Sequence, residues 1–285
     1  NGLVITDAMN MKAVTRNYRS GEAEAMAYLA GNDIVEFVTD VDAALNEILN
    51  LVAKKKITRA EIERRCRKIL AFKYWAGLAV TTTLKEENLS ETFSSNAIKM
   101  QIRELYSNAL TVLNNEGNII PVRSAERKIA AVAVNRTGKS VFQNRILDYC
   151  QADTFFIDPA DTKKSEQLIE KLKGYDLVIA GIFRTDQRPS SDFGVNQSLI
   201  TFLDKLTSSS RTIVSYFGNP YALSRLKPLE RAQGLLLTYQ ENDYTEDLAV
   251  QLLFGGIGAL GSLPVTINEK WKEGTMILQP ANPSI

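Results

Sequence analysis

The sequence contains no histidine among its 285 residues. This absence excludes Ser-His-Asp and Cys-His nucleophilic centres from the chain itself, and it removes the usual ligand of zinc sites. Only two cysteines are present, Cys66 and Cys150, and they lie in separate segments with helical patterning. Two such isolated cysteines indicate neither a disulfide framework nor a metal site.

The sequence also has little excess charge and no long apolar run. Its 34 basic and 33 acidic residues leave a formal net charge of +1, so the charge balance does not favour nucleic acid as a partner. No apolar run reaches the length of a membrane span. Hydrophobic residues make up 45% and charged residues 24% of the chain, which is ordinary for a globular protein long enough for two domains.

A carboxylate follows a short apolar run near the start of the sequence. Leu3, Val4 and Ile5 form a run typical of a strand that is buried on both faces. Thr6 and Asp7 end this run, and in α/β folds the chemistry lies at the C-terminal ends of such strands. The alternative interpretation of Asp7 is a turn or helix-capping aspartate.

The residues that end this run read Thr6-Asp7-Ala8-Met9-Asn10-Met11-Lys12. They resemble the nucleophile signature of glycoside hydrolase family 3, in particular its β-N-acetylglucosaminidase branch. In that branch a strand ending in Thr-Asp or Ser-Asp is followed by Ala-Leu-Asn-Met-Lys or a close variant. The β-glucosidase branch more often places Trp directly after the Asp, where this chain has Ala8.

The resemblance implies that Asp7 is the nucleophile of a retaining glycosidase, which traps the sugar as a covalent glycosyl ester. An ionised nucleophile needs hydrogen-bond donors around it, and Thr6 or Asn10 are candidates for that role. Asn10 and Met11 are the implied substrate-binding residues, with loop packing as their alternative role. The implied substrate is a carbohydrate with a terminal β-linked N-acetylglucosamine, and no cofactor or metal is implied.

The acid/base group of the implied mechanism is missing from this chain. In the β-N-acetylglucosaminidase branch that role belongs to a histidine on an earlier loop of the barrel, and this chain has none. Some family 3 β-glucosidases instead use an acidic residue of the second domain. Candidates by position are Asp186, Asp192 and Glu241, although each is better interpreted as a solvated loop carboxylate.

Residues 1–77 carry the signals of the last two βα units of a (β/α)8 barrel. A helix over 20–30, with Ser20 as a candidate cap, separates the first apolar run from a second predicted strand over 32–37. This order predicts parallel pairing. Further helices are expected over 40–54 and from Thr58 to Gly77. Since a complete barrel takes about 250 residues, we expect a missing N-terminal barrel segment as the partner of this part.

Residues 78–93 form a predicted linker, and residues 94–285 alternate between strands and helices. The expected helices lie over 95–110, 141–149, 164–172, 197–206, 221–226 and 246–254, and the expected strands over 129–134, 154–157, 177–183, 212–217 and 234–238. This alternation predicts an open, mainly parallel sheet covered on both faces. Near the end of this region, the stretch Leu263-Pro264-Val265-Thr266 resembles the end of the family 3 α/β sandwich domain.

A second motif, over residues 133–140, fits a relaxed phosphate-binding loop. Gly138, Lys139 and Ser140 stand between a predicted strand and a predicted helix, where backbone amides could surround phosphates. The loop has one glycine, however, and the bulky Arg136 stands where the backbone must approach the phosphates. A plain βα turn with Ser140 starting the helix is therefore the preferred interpretation.

The densest charge run reads Glu63-Arg64-Arg65-Cys66-Arg67-Lys68. It falls within a predicted helix, so we expect a solvated helix face rather than an anion-binding patch.

The sequence hypothesis is therefore the C-terminal portion of a family 3 β-N-acetylhexosaminidase, incomplete and inactive on its own. The alternatives are a β-glucosidase of the same family, a nucleotide-binding module over residues 128–267 and a non-catalytic scaffold. The sequence does not determine the cellular compartment, and the periplasm or the extracellular space is slightly favoured over the cytoplasm.

Overall fold

The computed structural model describes residues 2–80, 87, 89–123 and 128–282. The chain divides into two compact units, Asn1–Glu87 and Asn88–Ile285. Residues 81–86 and 88 of the predicted linker lie outside the described residues, and its last part forms a short helix, Leu89–Phe93. No helix in the described part of the chain is both long enough and apolar enough to cross a membrane.

The first unit is mainly helical in the residues that the structure describes. Its helices are α1 (Lys12–Thr15), α2 (Glu22–Leu29), α3 (Val41–Ala53) and α4 (Arg59–Trp75). Asp40 caps α3 and Thr58 caps α4, each by accepting a backbone N–H at the third helical position. Ser20 does not cap α2, because Gly21 takes that position at a φ of 79°.

The two predicted strands of the first unit meet at a single parallel bridge between Ile5 and Ile34. The direction of pairing agrees with the expectation, but neither predicted strand forms more than this bridge, and the first run is not buried on both faces as expected. Val4 and Ile5 are each 50% exposed. In the part of the chain that the structure describes, each segment pairs with one neighbour only, and such a pair cannot bury both of its faces.

The second unit is built on a six-stranded sheet with the order β1-β6-β5-β4-β2-β3. The strands are β1 (Thr111–Asn115), β2 (Ile129–Val134), β3 (Ala152–Ile157), β4 (Leu177–Ile182), β5 (Thr212–Tyr216) and β6 (Gly234–Leu237). Strands β2 to β6 are parallel, and β1 pairs with β6 in the antiparallel direction. The helices are α5 (Leu89–Phe93), α6 (Asn96–Ala109), α7 (Val141–Tyr149), α8 (Thr162–Leu172), α9 (Gln197–Ser209) and α10 (Asp243–Leu253).

The mainly parallel sheet is confirmed, and two local expectations fail. The edge strand β1 was not predicted, because the polar residues Thr111, Asn114 and Asn115 leave only a short apolar run in it. The predicted helix over 221–226 is replaced by two short 3₁₀ segments, Pro220–Ser224 and Lys227–Arg231. Proline stands near the start of each segment, and a proline without an N–H prevents one continuous helix.

Both faces of the sheet are covered by apolar residues. Along β2, Ala130, Val132 and Val134 join the cluster that contains apolar residues of α8 and α9. The alternate residues of β2 join a second cluster with apolar residues of α7 and α10. Successive side chains of a strand point to opposite faces, so a strand as apolar as β2 is buried on both sides. This packing places the strand ends and their loops at the rim of the unit.

Two glycines of the second unit, one in a close backbone contact and one without, allow a matched test of the packing around Ala109. A Cβ on Gly261 would overlap the Ala109 carbonyl, whereas a Cβ on Gly138 would meet no atom within 4 Å. We expect Gly261→Ala to lower the free energy of unfolding by about 1–3 kcal/mol. Gly138→Ala should change it by less than about 0.5 kcal/mol. Urea titration followed by circular dichroism measures both, and equal midpoints for the two variants would contradict the close approach at Gly261.

Candidate functional site

Asp7 lies at the carboxyl end of the first extended segment and is exposed. Its Oδ1 accepts a hydrogen bond from the Ala8 N–H at 2.7 Å. The Thr6 hydroxyl, a predicted donor to Asp7, instead accepts the Glu36 N–H at 2.9 Å. The donor that the structure supplies to Asp7 is therefore the next amide of its own loop rather than Thr6 or Asn10.

The second extended segment fixes the chain on both sides of Asp7. The Thr6 N–H donates to the Ile34 carbonyl at 3.1 Å, and the Met9 N–H donates to the Glu36 carbonyl at 3.0 Å. With the bond from Glu36 to the Thr6 hydroxyl, these contacts hold Asp7 between two anchored neighbours. An exposed carboxylate on an anchored turn has the short, fixed reach that attack on a bound substrate requires.

The predicted substrate-binding residues share the loop of Asp7. Asn10 is exposed, and Met11 is 42% exposed where it precedes α1. Met9, which the sequence did not single out, is the buried methionine of this loop. The structure therefore brings Asn10 and Met11 near Asp7 along the chain and leaves both side chains open to solvent.

A buried ion pair contacts Val4, which precedes Asp7 in the same extended segment. The Lys68 ammonium donates to Asp33 Oδ2 at 2.5 Å, and the Val4 N–H donates to the same oxygen at 2.9 Å. The side chain of Asp33 is 2% exposed. The hydrogen bond from Lys68, followed by the one from Val4, holds the pKa of the Asp33 carboxyl below its usual range.

The charge run on α4 is only partly the solvated face that the sequence predicted. Arg65 is 6% exposed, and its Nη1 donates to the carbonyls of Tyr28 at 2.6 Å and Asn32 at 2.8 Å. Its Nε donates to Glu61 at 2.7 Å. Arg65 and Lys68 face the end of α2, because free carbonyls at a helix C-terminus attract cations. Their spacing of one helical turn was the sequence signal for a shared face.

The carboxyl ends of the second unit's strands hold another charge cluster. Arg136 Nη2 donates to Glu241 Oε1 at 2.9 Å and to Glu246 Oε1 at 2.6 Å. Glu246 Oε2 accepts the Phe142 N–H in the first turn of α7, while the Ser140 hydroxyl accepts the Gln143 N–H. Burial raises the pKa of Glu246. The chain's own oxygens thus occupy the helix end where a nucleotide phosphate would bind.

The three acid/base candidates of the second unit are ion-paired rather than simply solvated. Arg188 binds both oxygens of Asp186 and holds the pKa of that carboxyl well below its usual range. Asp192 pairs with Arg225. Glu241 accepts from Arg136 and from the Arg184 N–H. A general acid needs a raised pKa, so the environment of Asp186 is the opposite of what that role requires.

The described residues offer no evident metal site. Within residues 2–80, 87, 89–123 and 128–282, no group of three or more Cys, Asp or Glu side chains is placed to hold an ion.

Known proteins resemble the chain at low identity. No protein-family model matches it. A "Putative beta-xylosidase" from Formosa agariphila is 22% identical over 274 residues, which cover 86% of this chain and 36% of that protein. A glycoside hydrolase family 3 β-N-acetylglucosaminidase from Paenibacillus sp. is 18% identical, with a TM-score of 0.65 over 94% of this chain and 51% of its own. A β-glucosidase from Listeria innocua is 14% identical, with a TM-score of 0.70 over 94% and 41% of the two chains.

The chain has the fold of the matched part of the two solved structures. Its mainly parallel six-stranded sheet matches the α/β sandwich domain of family 3 structures. The chain spans 36% of the curated relative and 51% and 41% of the two solved structures.

The lowered pKa of Asp33 predicts a pH dependence for the first unit. A carboxyl whose pKa is lowered by folding contributes stability above its unfolded pKa, and this stability is lost as the pH falls through the lowered value. We expect the protection factor of the Ile34 amide, which donates to the Val4 carbonyl, to fall as the pH drops below the usual titration range of an aspartate carboxyl. Hydrogen exchange measures it. The fall should be smaller in Asp33→Asn, and an identical profile in that variant would contradict the assignment.

Proposed function

We propose that this chain is the C-terminal portion of a retaining glycoside hydrolase of family 3, with Asp7 as its nucleophile. One observation carries the proposal. An exposed carboxylate stands at the carboxyl end of an extended segment, between backbone anchors at Thr6 and Met9, in a chain with the fold of family 3 structures. The sequence signature around Asp7 supports the same role.

The proposed reaction has two steps. The Asp7 carboxylate attacks the anomeric carbon, the glycosidic bond breaks, and the leaving oxygen takes a proton from a general acid. Water then attacks the glycosyl ester, returns the proton to that group and releases Asp7. The Ala8 N–H donates to the Asp7 carboxylate and helps to fix its position for the first step. The sugar therefore leaves with its original anomeric configuration.

The general acid is proposed to lie outside this chain. The chain has no histidine, and its three candidate carboxylates are occupied by arginines, with backbone N–H groups also bound to Asp186 and Glu241. The half-exposed Val4 and Ile5 also leave an apolar edge that a missing N-terminal barrel segment would cover. The isolated chain is therefore proposed to be inactive.

A terminal β-linked N-acetylglucosamine is the proposed substrate. Ala8 supports it, since the β-glucosidase branch more often has Trp at that position. The relatives' names leave a β-glucoside and a β-xyloside as competitors. Initial rates on the three chromogenic glycosides rank these substrates directly, and a preference for the glucoside or the xyloside would replace the N-acetylglucosaminide.

The nucleophile is tested in the polypeptide that includes the upstream barrel segment. We expect Asp7→Asn to lower kcat on the chromogenic β-N-acetylglucosaminide by a factor on the order of 1,000 or more, because the variant cannot form the ester. Asp42→Asn is the matched control, since Asp42 is also exposed but lies in the first turn of α3. Equal activity of Asp7→Asn and the parent would make Asp7 a structural aspartate.

A nucleotide-binding module is the alternative of a different class, and the occupied N-terminus of α7 weighs against it. We expect ATP with magnesium to leave the melting temperature of the chain unchanged. Lys139→Ala should give the same result, because Lys139 is exposed and the Phe142 N–H is already bonded to Glu246. A rise in melting temperature that Lys139→Ala removes would establish nucleotide binding instead.

A further inference from the structure

We propose that Lys68 is a positioning residue for Asp7, acting through Asp33 and Val4. The proposal rests on the proposed role of Asp7 as the nucleophile. Lys68 lies on α4 and touches neither Asp7 nor its loop among the contacts of the described residues. Its influence would reach the reacting carboxylate through one buried carboxyl oxygen and one backbone segment.

The first link is the shared oxygen of Asp33. Asp33 Oδ2 accepts both the Lys68 ammonium at 2.5 Å and the Val4 N–H at 2.9 Å. The side chain of Asp33 is 2% exposed, and that of Lys68 is 23% exposed. A carboxylate this deeply buried depends on a paired cation to remain ionised. Lys68 therefore strengthens the Val4 bond, because an ionised carboxylate is a stronger acceptor than a neutral carboxyl group.

The second link is the backbone of Val4. The Asp33 N–H and the Ile34 N–H both donate to the Val4 carbonyl, at 2.7 and 3.2 Å. Asp33 thus binds the N–H of Val4 through its side chain and the carbonyl of Val4 through its backbone. Val4 precedes Asp7 by three residues in the same extended segment. A shift of Val4 would move the start of the segment that carries the carboxylate.

The third link fixes Asp33 itself. Arg65 donates to the Asn32 carbonyl, directly before Asp33, and to the Tyr28 carbonyl. Its guanidinium also lies 4.3 Å from the centre of the Tyr28 ring. Arg65 and Lys68 therefore attach α4 to both sides of the turn that leads into Asp33. Loss of Lys68 removes the cation beside the Asp33 carboxylate, while Arg65 still holds the turn in place.

The size of the expected effect follows from the geometry of nucleophilic attack. A misplacement of about 1 Å in a reacting group can cost about 100-fold in rate. Lys68→Met should leave Asp33 either protonated, and therefore a weaker acceptor for the Val4 N–H, or turned away from Val4, since the cation that pairs with it among the described residues is gone. Lys68→Arg keeps a cation that can reach the same oxygen, so it should retain most of the rate.

The experiment uses the polypeptide with its upstream barrel segment and an activated 2-deoxy-2-fluoro-β-glycoside, which labels the nucleophile covalently and slowly. Lys68→Met should lower the labelling rate at Asp7 and the kcat on the chromogenic substrate by about 100-fold. The fraction of protein that is finally labelled and the KM should stay near those of the parent. Arg67→Met, an exposed neighbour on the same helix, should match the parent in every measurement.

A double-variant comparison tests the route through Asp33. Asp33→Asn keeps a carbonyl oxygen for the Val4 N–H but needs no cation. Lys68→Met should therefore have little further effect when it is added to Asp33→Asn. Equal effects of Lys68→Met in both backgrounds would overturn the route.

The outcome of a merely structural role is different. In that case Lys68→Met lowers the labelled fraction while the rate per labelled site is unchanged, and the proposal is overturned. If the parent neither cleaves nor labels, the proposed function fails. Hydrogen exchange at the Val4 amide then still tests the structural part of the proposal, which is the link from Lys68 through Asp33 to Val4. Faster exchange in Lys68→Met but not in Arg67→Met supports this link, and equal exchange refutes it.

Discussion

Extended backbone must satisfy its N–H and carbonyl groups with neighbours on both sides, and this constraint shapes both units of the chain. In the second unit, strands do so for one another across the six-stranded sheet. In the first unit, the two extended segments share one bridge. Side chains take the place of a neighbouring strand there, with Asp33 accepting the Val4 N–H and Thr6 accepting the Glu36 N–H. The segment that ends in Asp7 is thus held by side chains drawn from several elements.

Charge serves the same purpose in both units. The chain is nearly neutral overall, yet several of its charges are buried in pairs. Arg65 binds the end of α2 and Lys68 binds Asp33 in the turn after it, whereas Glu246, which is paired with Arg136, binds the beginning of α7. The charges of Arg65 and Glu246 complement the free backbone groups of the helix ends that they bind. These pairs are better regarded as fixing loop geometry than as adding net stability, since burying a charge is itself costly.

The sequence predicted most of the second unit, because its strands are apolar runs with turn signals between them. The bounds of β2 agree with the expectation, and the caps at Asp40, Thr58 and Ser140 follow from local chemistry. The antiparallel β1 escaped prediction because its polar residues serve contacts that are distant in sequence. The Asn114 amide, for example, donates to the Ala232 carbonyl.

The candidate site was likewise only partly predictable from the sequence. The position of Asp7 at the end of an extended segment could be read from the chain, since a short apolar run stops there. The donor at its carboxylate could not, because the sequence offered Thr6 or Asn10 and the structure places the Ala8 N–H there. The pairing of Lys68 with Asp33 joins residues 35 positions apart, and local periodicity carries no information on such a contact.

The edge strand β1 has a consequence for the order in which the chain can assemble. Its strand neighbour in the sheet of the described residues is β6, which is the last strand of the sheet along the sequence. During synthesis on the ribosome, Thr111–Asn115 therefore emerges early and waits without a strand partner until Gly234–Leu237 has been made. The core strands can associate before that point, but the edge of the sheet is completed only when β1 pairs with β6. Contacts of such long sequence separation are slow to form, so the completion of this edge is expected to be the late step in the maturation of the unit.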